Sequence, residues 1–260
     1  MNILQEIAVH ARKRTEQAKN FVGDNEIKIK ARALDKRGFE FEKALKKPGM
    51  SFICECKKAS PSKGVIAERF DYLGTAKDYE RAGADCISVL TEPNWFLGSN
   101  EYLSDISGEV GIPCLRKDFT IDKYMIYEAR LLGASAVLLI CSLLTQNELK
   151  EYISVCDELG LSALVETHDE EEVRMALDSG ARVIGVNNRN LKDFSVDTKN
   201  SERLRNLVPD SVSFVSESGV KSSEDVRILR ELGADAVLVG EILMRAEDKG
   251  QKLRELSGKR

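Results

Sequence analysis

Ser51-Phe52-Ile53-Cys54-Glu55-Cys56-Lys57-Lys58-Ala59-Ser60-Pro61-Ser62 is the stretch from which the rest of the chain can be read. Its first half is apolar and has the length of a buried strand, which Pro61 and Gly64 close. Side chains alternate along a strand, so Glu55 and Lys57 share one face while Cys54 and Cys56 point the other way. An acid and a base at the end of a buried strand need a reason, because unpaired buried charge is costly. This stretch alone fits either a structural ion pair or a polar site at the mouth of a parallel barrel.

The sequence that follows repeats the pattern. After Pro48 an apolar strand, a polar turn, an amphipathic helix and a glycine-led turn recur. The clearest turns are Ala82-Gly83-Ala84-Asp85, Leu132-Gly133-Ala134-Ser135, Ser179-Gly180-Ala181-Arg182 and Leu232-Gly233-Ala234-Asp235. Glycine there suits the residue just past a helix, which needs positive φ. The expected strands are Phe52–Lys57, Cys86–Leu90, Pro113–Lys117, Ala136–Ile140, Ser162–Glu166, Val183–Asn187, Val212–Glu217 and Ala236–Val239. Helices are expected near Ala76, Leu103, Ala129, Leu149, Val173, Leu204, Val226 and Leu243. Eight such units in series predict an α/β fold, a (βα)8 TIM barrel. An open doubly wound sheet is the second choice, and no Gly-x-Gly-x-x-Gly follows a strand to favour it. Upstream, Ile3, Ile7 and Ala11 have helical spacing, a polar stretch follows, and a further helix is expected near Phe39–Leu45. Residues 1–48 thus read as an N-terminal helical extension and 49–260 as the barrel, one domain overall.

Composition narrows the function. Of 260 residues, 42% are hydrophobic and 32% charged, as in an ordinary globular protein. No run is long enough to span a membrane, and Met1-Asn2-Ile3-Leu4-Gln5-Glu6 lacks a signal-peptide pattern, so a cytoplasmic protein is expected. A net charge of −4 argues against broad binding to nucleic acid or membrane. The six cysteines read as reduced core thiols, Cys54-x-Cys56 included. Two histidines, His10 and His168, are too few for a His-based metal site, and no metal is expected. His168 reads as decoration of the loop after strand 5.

The strand ends carry the chemistry. In such barrels catalytic groups project from the C-terminal ends of the strands. Alternation lets Lys117 of strand 3, Glu166 of strand 5, Asn187 of strand 6 and Glu217 of strand 7 face inward with Glu55 and Lys57. Arg116 and Asp118 then pair outside the barrel. Lys117 stands alone on its strand, whereas Lys57 has Glu55 two residues away. Ser218-Gly219 and Gly240 follow strands 7 and 8, where this fold commonly cradles phosphate with backbone N–H groups. A rim of Lys, Glu and Asn with no nucleophile beside a histidine suits acid–base chemistry on a small phosphorylated molecule. Imine formation by a lysine is an alternative the residues leave open.

Glu55-Cys56-Lys57-Lys58-Ala59-Ser60-Pro61-Ser62-Lys63-Gly64, Leu115-Arg116-Lys117-Asp118-Phe119 and Tyr127-Glu128-Ala129-Arg130 resemble motifs of the indole-3-glycerol-phosphate synthase family. So do Ile184-Gly185-Val186-Asn187-Asn188-Arg189-Asn190-Leu191 and Ser216-Glu217-Ser218-Gly219, and the likeness runs essentially end to end. The resemblance implies a carboxy-lyase of tryptophan biosynthesis. Its substrate is 1-(2-carboxyphenylamino)-1-deoxyribulose 5-phosphate and its products are indole-3-glycerol phosphate, CO₂ and water. It also implies that the N-terminal extension lies over the barrel mouth.

By resemblance, Lys117 is the general acid at the ribulose carbonyl and Glu166 serves the dehydration. Glu55 lies near the anilino nitrogen, Lys57 holds anionic groups, and Glu217 completes the catalytic set with Asn187. Asn187 and Arg189 orient the sugar. Phe96 and Leu138 form the slot for the aromatic ring, and Ser218, Gly219 and Gly240 surround the phosphate. Ser60 and Glu241 complete the substrate-binding set. No cofactor is implied, and association with other tryptophan-pathway enzymes is left open. Phosphoribosylanthranilate isomerase and ribulose-phosphate epimerase fit less well. The first lacks the extension, and the metal-binding His and Asp residues of the second are missing. A non-catalytic barrel would have no need of all six inward polar groups.

Overall fold

The computed structural model describes residues 3–190 and 194–258. Leu191, the last residue of the strand-6 motif, lies outside them. The barrel strands are β1 (Ser51–Cys56), β2 (Cys86–Leu90), β3 (Cys114–Lys117) and β4 (Ala136–Ile140). They continue with β5 (Ser162–Thr167), β6 (Val183–Asn187), β7 (Ser213–Glu217) and β8 (Ala236–Val239). All pairings are parallel, and β1 bonds both β2 and β8, closing the barrel. Each expected strand is present to within a residue; β3 begins at Cys114 rather than Pro113, which has no N–H to give a ladder. A short hairpin of Ala59–Ser60 with Gly64–Val65, not anticipated, follows β1.

Helix ends are specified locally. Asp71, Ser99, Asp122, Asp169 and Asp248 each accept a backbone N–H in the first turn of the helix that follows. Thr145 with Glu148, and Ser222 with Asp225, form reciprocal capping boxes. At the other ends Gly83, Gly133, Gly180 and Gly233 have φ of 93°, 87°, 86° and 83°. The alanine after each bonds back to the helix, as in Ala84 N–H to Tyr79 O at 3.0 Å. These turns reverse each helix into the next strand.

Alternation along the strands builds two cores. Ile53, Leu115, Leu138, Leu164, Val183, Val215 and Leu238 fill the barrel interior. Phe52, Cys54 and Cys56 face the helices, packed among Ala76, Tyr79 and others. Burial pushes both thiols well above the ordinary cysteine value, as inert core groups.

Three helices precede the barrel: α1 (Ile3–Phe21), α2 (Asp24–Ala33) and α3 (Glu40–Leu45). Leu4, Ile7 and Ala11 of α1 join the interior cluster beside Phe119 and Ile140. Helix α3 lies at the strand N-termini, where Ser51 Oγ donates to Ala44 O at 3.1 Å and Glu42 N–H to Ser162 Oγ at 3.3 Å. The stretch read as a polar connection is α2, which buries only Ile27 and Ala31. A closing helix, Lys249–Ser257, was likewise not anticipated. Among the described residues no helix is long and apolar enough to cross a membrane.

Candidate active site

The inward alternation that buries Ile53 brings Glu55 to the C-terminal rim of β1, where Lys57 Nζ donates to its Oε1 at 3.0 Å. Across the barrel, Lys117 Nζ lies 3.2 Å from Glu166 Oε2 and 3.4 Å from Glu217 Oε2. Asn187 Nδ2 donates to Glu166 Oε1 at 3.1 Å. Strand register sets these contacts: Glu166 sits opposite Gly185, and Glu217 opposite Asn187. Lys117 is therefore not solitary. The pairing crosses between strands far apart in the chain, where period-two reasoning along one strand has no reach.

Three buried carboxylates face two ammonium groups here, and their protonation divides accordingly. Burial opposes the charge of Lys117, but Glu166, Glu217 and Glu55 outweigh it and hold the ammonium above the ordinary lysine value. Burial also opposes the charge of Glu166, yet Lys117, His168 and Asn187 keep it below the usual carboxylate range. Glu217 goes the other way: burial, with Glu166 and Glu55 nearby, pushes it up to about 7 despite Lys117. Among the described residues Glu217 Oε1 has no hydrogen-bond partner. Two neighbouring carboxylates whose proton affinities are pushed apart can serve as a base and an acid in one pocket.

One cavity gathers Glu55, Lys57, Lys117, Glu166, Asn187 and Glu217 with Ser60, Phe96, Leu138, Arg189, Ser218 and Glu241. Its apolar wall adds residues not anticipated, Leu90, Phe119, Ile140 and Leu238, with Ile3, Leu4 and Ile7 of α1. The Phe96 and Phe119 ring centroids are 5.9 Å apart. Phe119 continues the inward face two residues past Lys117, a signal the sequence did carry. Gly219 and Gly240 line an adjoining cavity that shares Glu55, Lys57, Arg189, Ser218 and Glu241 with the first. Lys63, Lys221 and Arg245 add positive charge there. Ser218 and Gly219 have φ of 65° and 96°, the left-handed region, so this loop turns sharply at the cavity. Glu241 pairs with Arg245 at 3.2 Å and Lys63 at 3.9 Å. Among the described residues no group of three or more His, Cys, Asp or Glu side chains converges as a metal site would require.

Around the site, several expectations change. Arg116 and Asp118 do meet, at 3.6 Å, but the main partner of Asp118 is Arg14 of α1, bonded twice at 2.8 and 3.0 Å. Trp95 belongs to the loop–helix interface: its ring meets His10 of α1 edge-on at 5.6 Å. Glu92 holds this loop by accepting the N–H groups of Asn94, Trp95 and Phe96. His168 is no loop decoration. Its Nε2 lies 3.3 Å from Glu166 Oε1 and its Nδ1 3.0 Å from Glu172 Oε2.

The chain is similar to known proteins over nearly all its length. A family model for indole-3-glycerol phosphate synthase matches residues 4–256. The indole-3-glycerol phosphate synthase of Ruminiclostridium cellulolyticum is 57% identical, covering 98% of this chain and 99% of that protein. That of Endomicrobium trichonymphae is 51% identical over the same shares of both chains. Among solved structures, 3-hexulose-6-phosphate synthase from Salmonella typhimurium overlays with a TM-score of 0.65 at 16% identity, covering 80% of this chain and 97% of that one. Thiamine phosphate pyrophosphorylase from Pyrococcus furiosus gives 0.60 at 15%, covering 83% and 95%. These two overlays share the barrel alone, but a full-length family match and relatives above half identity go further: the chain belongs to the indole-3-glycerol phosphate synthase family.

Proposed function

We propose that the charged cluster around Lys117 carries the proton transfers of ring closure, with Glu55, Lys57, Glu166, Asn187 and Glu217 as its other members. The chain is a carbon–carbon lyase of tryptophan biosynthesis. It closes the indole ring of 1-(2-carboxyphenylamino)-1-deoxyribulose 5-phosphate with loss of CO₂ and water, giving indole-3-glycerol phosphate.

In this reading the flat ring of the substrate lies against Phe96, Leu138 and Phe119. Its phosphate reaches Ser218, Gly219 and Gly240, with Lys63 and Arg245 near it and Glu241 fixing those two cations. Ser60, Asn187 and Arg189 orient the groups between. The ring carbon bearing the carboxylate attacks the ribulose carbonyl, and Lys117 stabilises and protonates the oxygen as negative charge develops there. Lys57 holds the substrate's anionic groups, and CO₂ departs with its electron pair returning to the ring system. In the dehydration the hydroxyl needs a proton to leave as water, and the former C1 methylene of the sugar must lose one to form the ring double bond, while the nitrogen keeps its hydrogen. Glu217, whose proton affinity is raised, supplies an acid, while Glu166, whose proton affinity is lowered, supplies a base, with Glu55 beside them in the pocket.

The observation that carries this reading is Lys117 Nζ between two buried carboxylates, Glu166 at 3.2 Å and Glu217 at 3.4 Å. Purified protein mixed with the substrate should generate indole fluorescence, and inorganic phosphate should inhibit competitively. Fluorescence unchanged from a protein-free control would overturn the assignment. The same reading divides the chain into an extension, residues 1–48, whose first helix roofs the mouth, and the barrel, 49–260. It places the protein in the cytoplasm, where co-purification tests association with other enzymes of the pathway.

A further inference from the structure

We infer that His168 is a positioning residue for Glu166, itself held by Glu172, so that a Glu172–His168–Glu166 line aims the active-site carboxylate. The local sequence explains the placement. Glu166 faces inward and Thr167 outward at the end of β5, so the next residue returns to the side of Glu166. There the ring lies between two carboxylates, Nε2 3.3 Å from Glu166 Oε1 and Nδ1 3.0 Å from Glu172 Oε2. Nδ1 is hydrogen-bonded to Glu172, while Nε2 meets Glu166 at ion-pair distance without a hydrogen bond, so the second contact is electrostatic, and two flanking carboxylates favour the cationic ring. Burial opposes that charge, but the two glutamates outweigh it and push the ring up to about 10.

Groups outside the catalytic cluster fix the ring. Glu172 stands in the first turn of the helix Glu170–Asp178, where its N–H bonds Asp169 Oδ1 at 2.9 Å. Its Oε2 also accepts the backbone N–H of His168 at 2.7 Å. From the helix Lys199–Arg205, Asn200 Nδ2 donates to the His168 carbonyl at 3.0 Å. Backbone and ring are thus held from two helices that touch neither Lys117 nor Glu217 through any of these bonds. The consequence lies at Glu166. One of its oxygens meets Lys117, the other meets Asn187 and His168, and the carboxylate is left ionised with no free rotation. Among the described residues Glu217 Oε1 has no such partner, and burial with Glu166 and Glu55 nearby pushes this carboxyl up to about 7.

The inference rests on Glu166 acting in the reaction, and the test separates the two. The chain has two histidines, so the His10→Gln variant assigns their ¹⁵N ring signals. At about pH 8, well above the ordinary histidine value of about 6.5, both ring nitrogens of His168 should still carry protons. A neutral ring there overturns the proposal. His168→Ala should lower kcat about 10- to 100-fold with little change in KM, the effect of a small misplacement of a reacting group. Glu172→Gln keeps the shape, should lower kcat about tenfold by the same misplacement in milder form, and carries the test if His168→Ala does not fold. In single-turnover assays on the Glu166→Gln background, His168→Ala should add nothing. An equal loss in both backgrounds, or wild-type kcat in folded His168→Ala and Glu172→Gln beside an impaired Glu166→Gln, overturns the positioning role. Wild-type turnover in Glu166→Gln would instead overturn the role given to Glu166 itself.

Discussion

Arg116 and Lys117 are neighbours on β3, both buried and both cationic, yet they inhabit opposite kinds of surroundings. Arg116 points into the strand–helix layer, and every guanidinium nitrogen is used. It donates to Thr91 Oγ1 at 3.2 Å, Met125 O at 2.9 Å, Asn100 Oδ1 at 3.0 Å and Glu128 Oε2 at 2.6 Å. Asp118 beside it is equally saturated by Arg14 and Thr91. Lys117 points into the barrel, where carboxylates outnumber ammonium groups and Glu217 Oε1 has no partner among the described residues. Native interiors leave few buried polar atoms unbonded, and each one asks for an explanation. Around Arg116 and Asp118 polar capacity is used up and the charge is structural. Inside, capacity is left over for a substrate.

The sharpest way to break this contrast is Lys117→Met. Removing the inward cation should lower kcat by about 10²- to 10⁴-fold, the usual contribution of a positioned acid. Lys57→Met should in addition raise KM, because it weakens ground-state anion binding. Lys117→Arg restores charge but not a proton of usable acidity, so it should rescue poorly. Near wild-type turnover in that variant would make Lys117 an electrostatic clamp and send the search for the proton donor elsewhere.

Arg116→Met probes the outer face. Breaking one side of a buried ion pair typically destabilises by about 3–5 kcal/mol. Denaturant titration should show a loss of that order, while turnover per folded molecule stays at the wild-type level. Loss of kcat without loss of stability would merge the two faces into one functional network.

The two faces also differ in how legible they were. Phe52, Ile53, Cys54 and Glu55 announce their directions, because a strand's period of two is fixed by its geometry. Gly83, Gly133, Gly180 and Gly233 announced the turns, because positive φ favours glycine. Helix α2 was hidden because only Ile27 and Ala31 face the core on an otherwise charged stretch. Inward strand-end residues were found for the same geometric reason as the strands. His168 was not, since it lies one residue beyond β5 and its second partner stands on a helix. Nor could Arg14 be matched to Asp118, because a contact across 104 residues leaves no local pattern.

A subtler break comes from Gly185 on β6. A Cβ there would lie 2.2 Å from Glu217 Oε1 and 3.1 Å from Leu164 Cδ1. Glycine makes room for the unpartnered oxygen. Gly185→Ala should displace that carboxylate and lower kcat about 10- to 100-fold, as misplacements near 1 Å do. An unchanged kcat would mean that the position of Oε1 is immaterial to the chemistry.

The last effect tests the leftover capacity most directly, through stability rather than rate. Glu217 is pushed from an ordinary value near 4.5 up to about 7. In the unfolded chain a glutamate loses its proton near pH 4.3, whereas in the barrel this one keeps it until about pH 7. Between those limits the native state binds more protons than the unfolded state, so its stability falls as pH rises, and above about pH 7 the loss is complete. Glutamine has no proton to lose. The Tm of Glu217→Gln minus that of wild type should therefore climb from about pH 4.5 to about pH 7 and then level. Glu166 has the opposite sign, contributing stability above its unfolded value that is lost on acidification, but it is present in both proteins and its part largely cancels. The lost contact to Lys117 shifts the difference at every pH without giving it a slope in this range. Because the two carboxylates interact, the climb should be broad. At roughly 1.4 kcal/mol for each tenfold change in proton affinity and roughly 2–4 °C per kcal/mol for a chain of this size, the swing should be on the order of 10 °C. A difference flat across this range would mean that Glu217 is ionised like Glu166, and that the interior of the barrel is as fully balanced as the layer around Arg116.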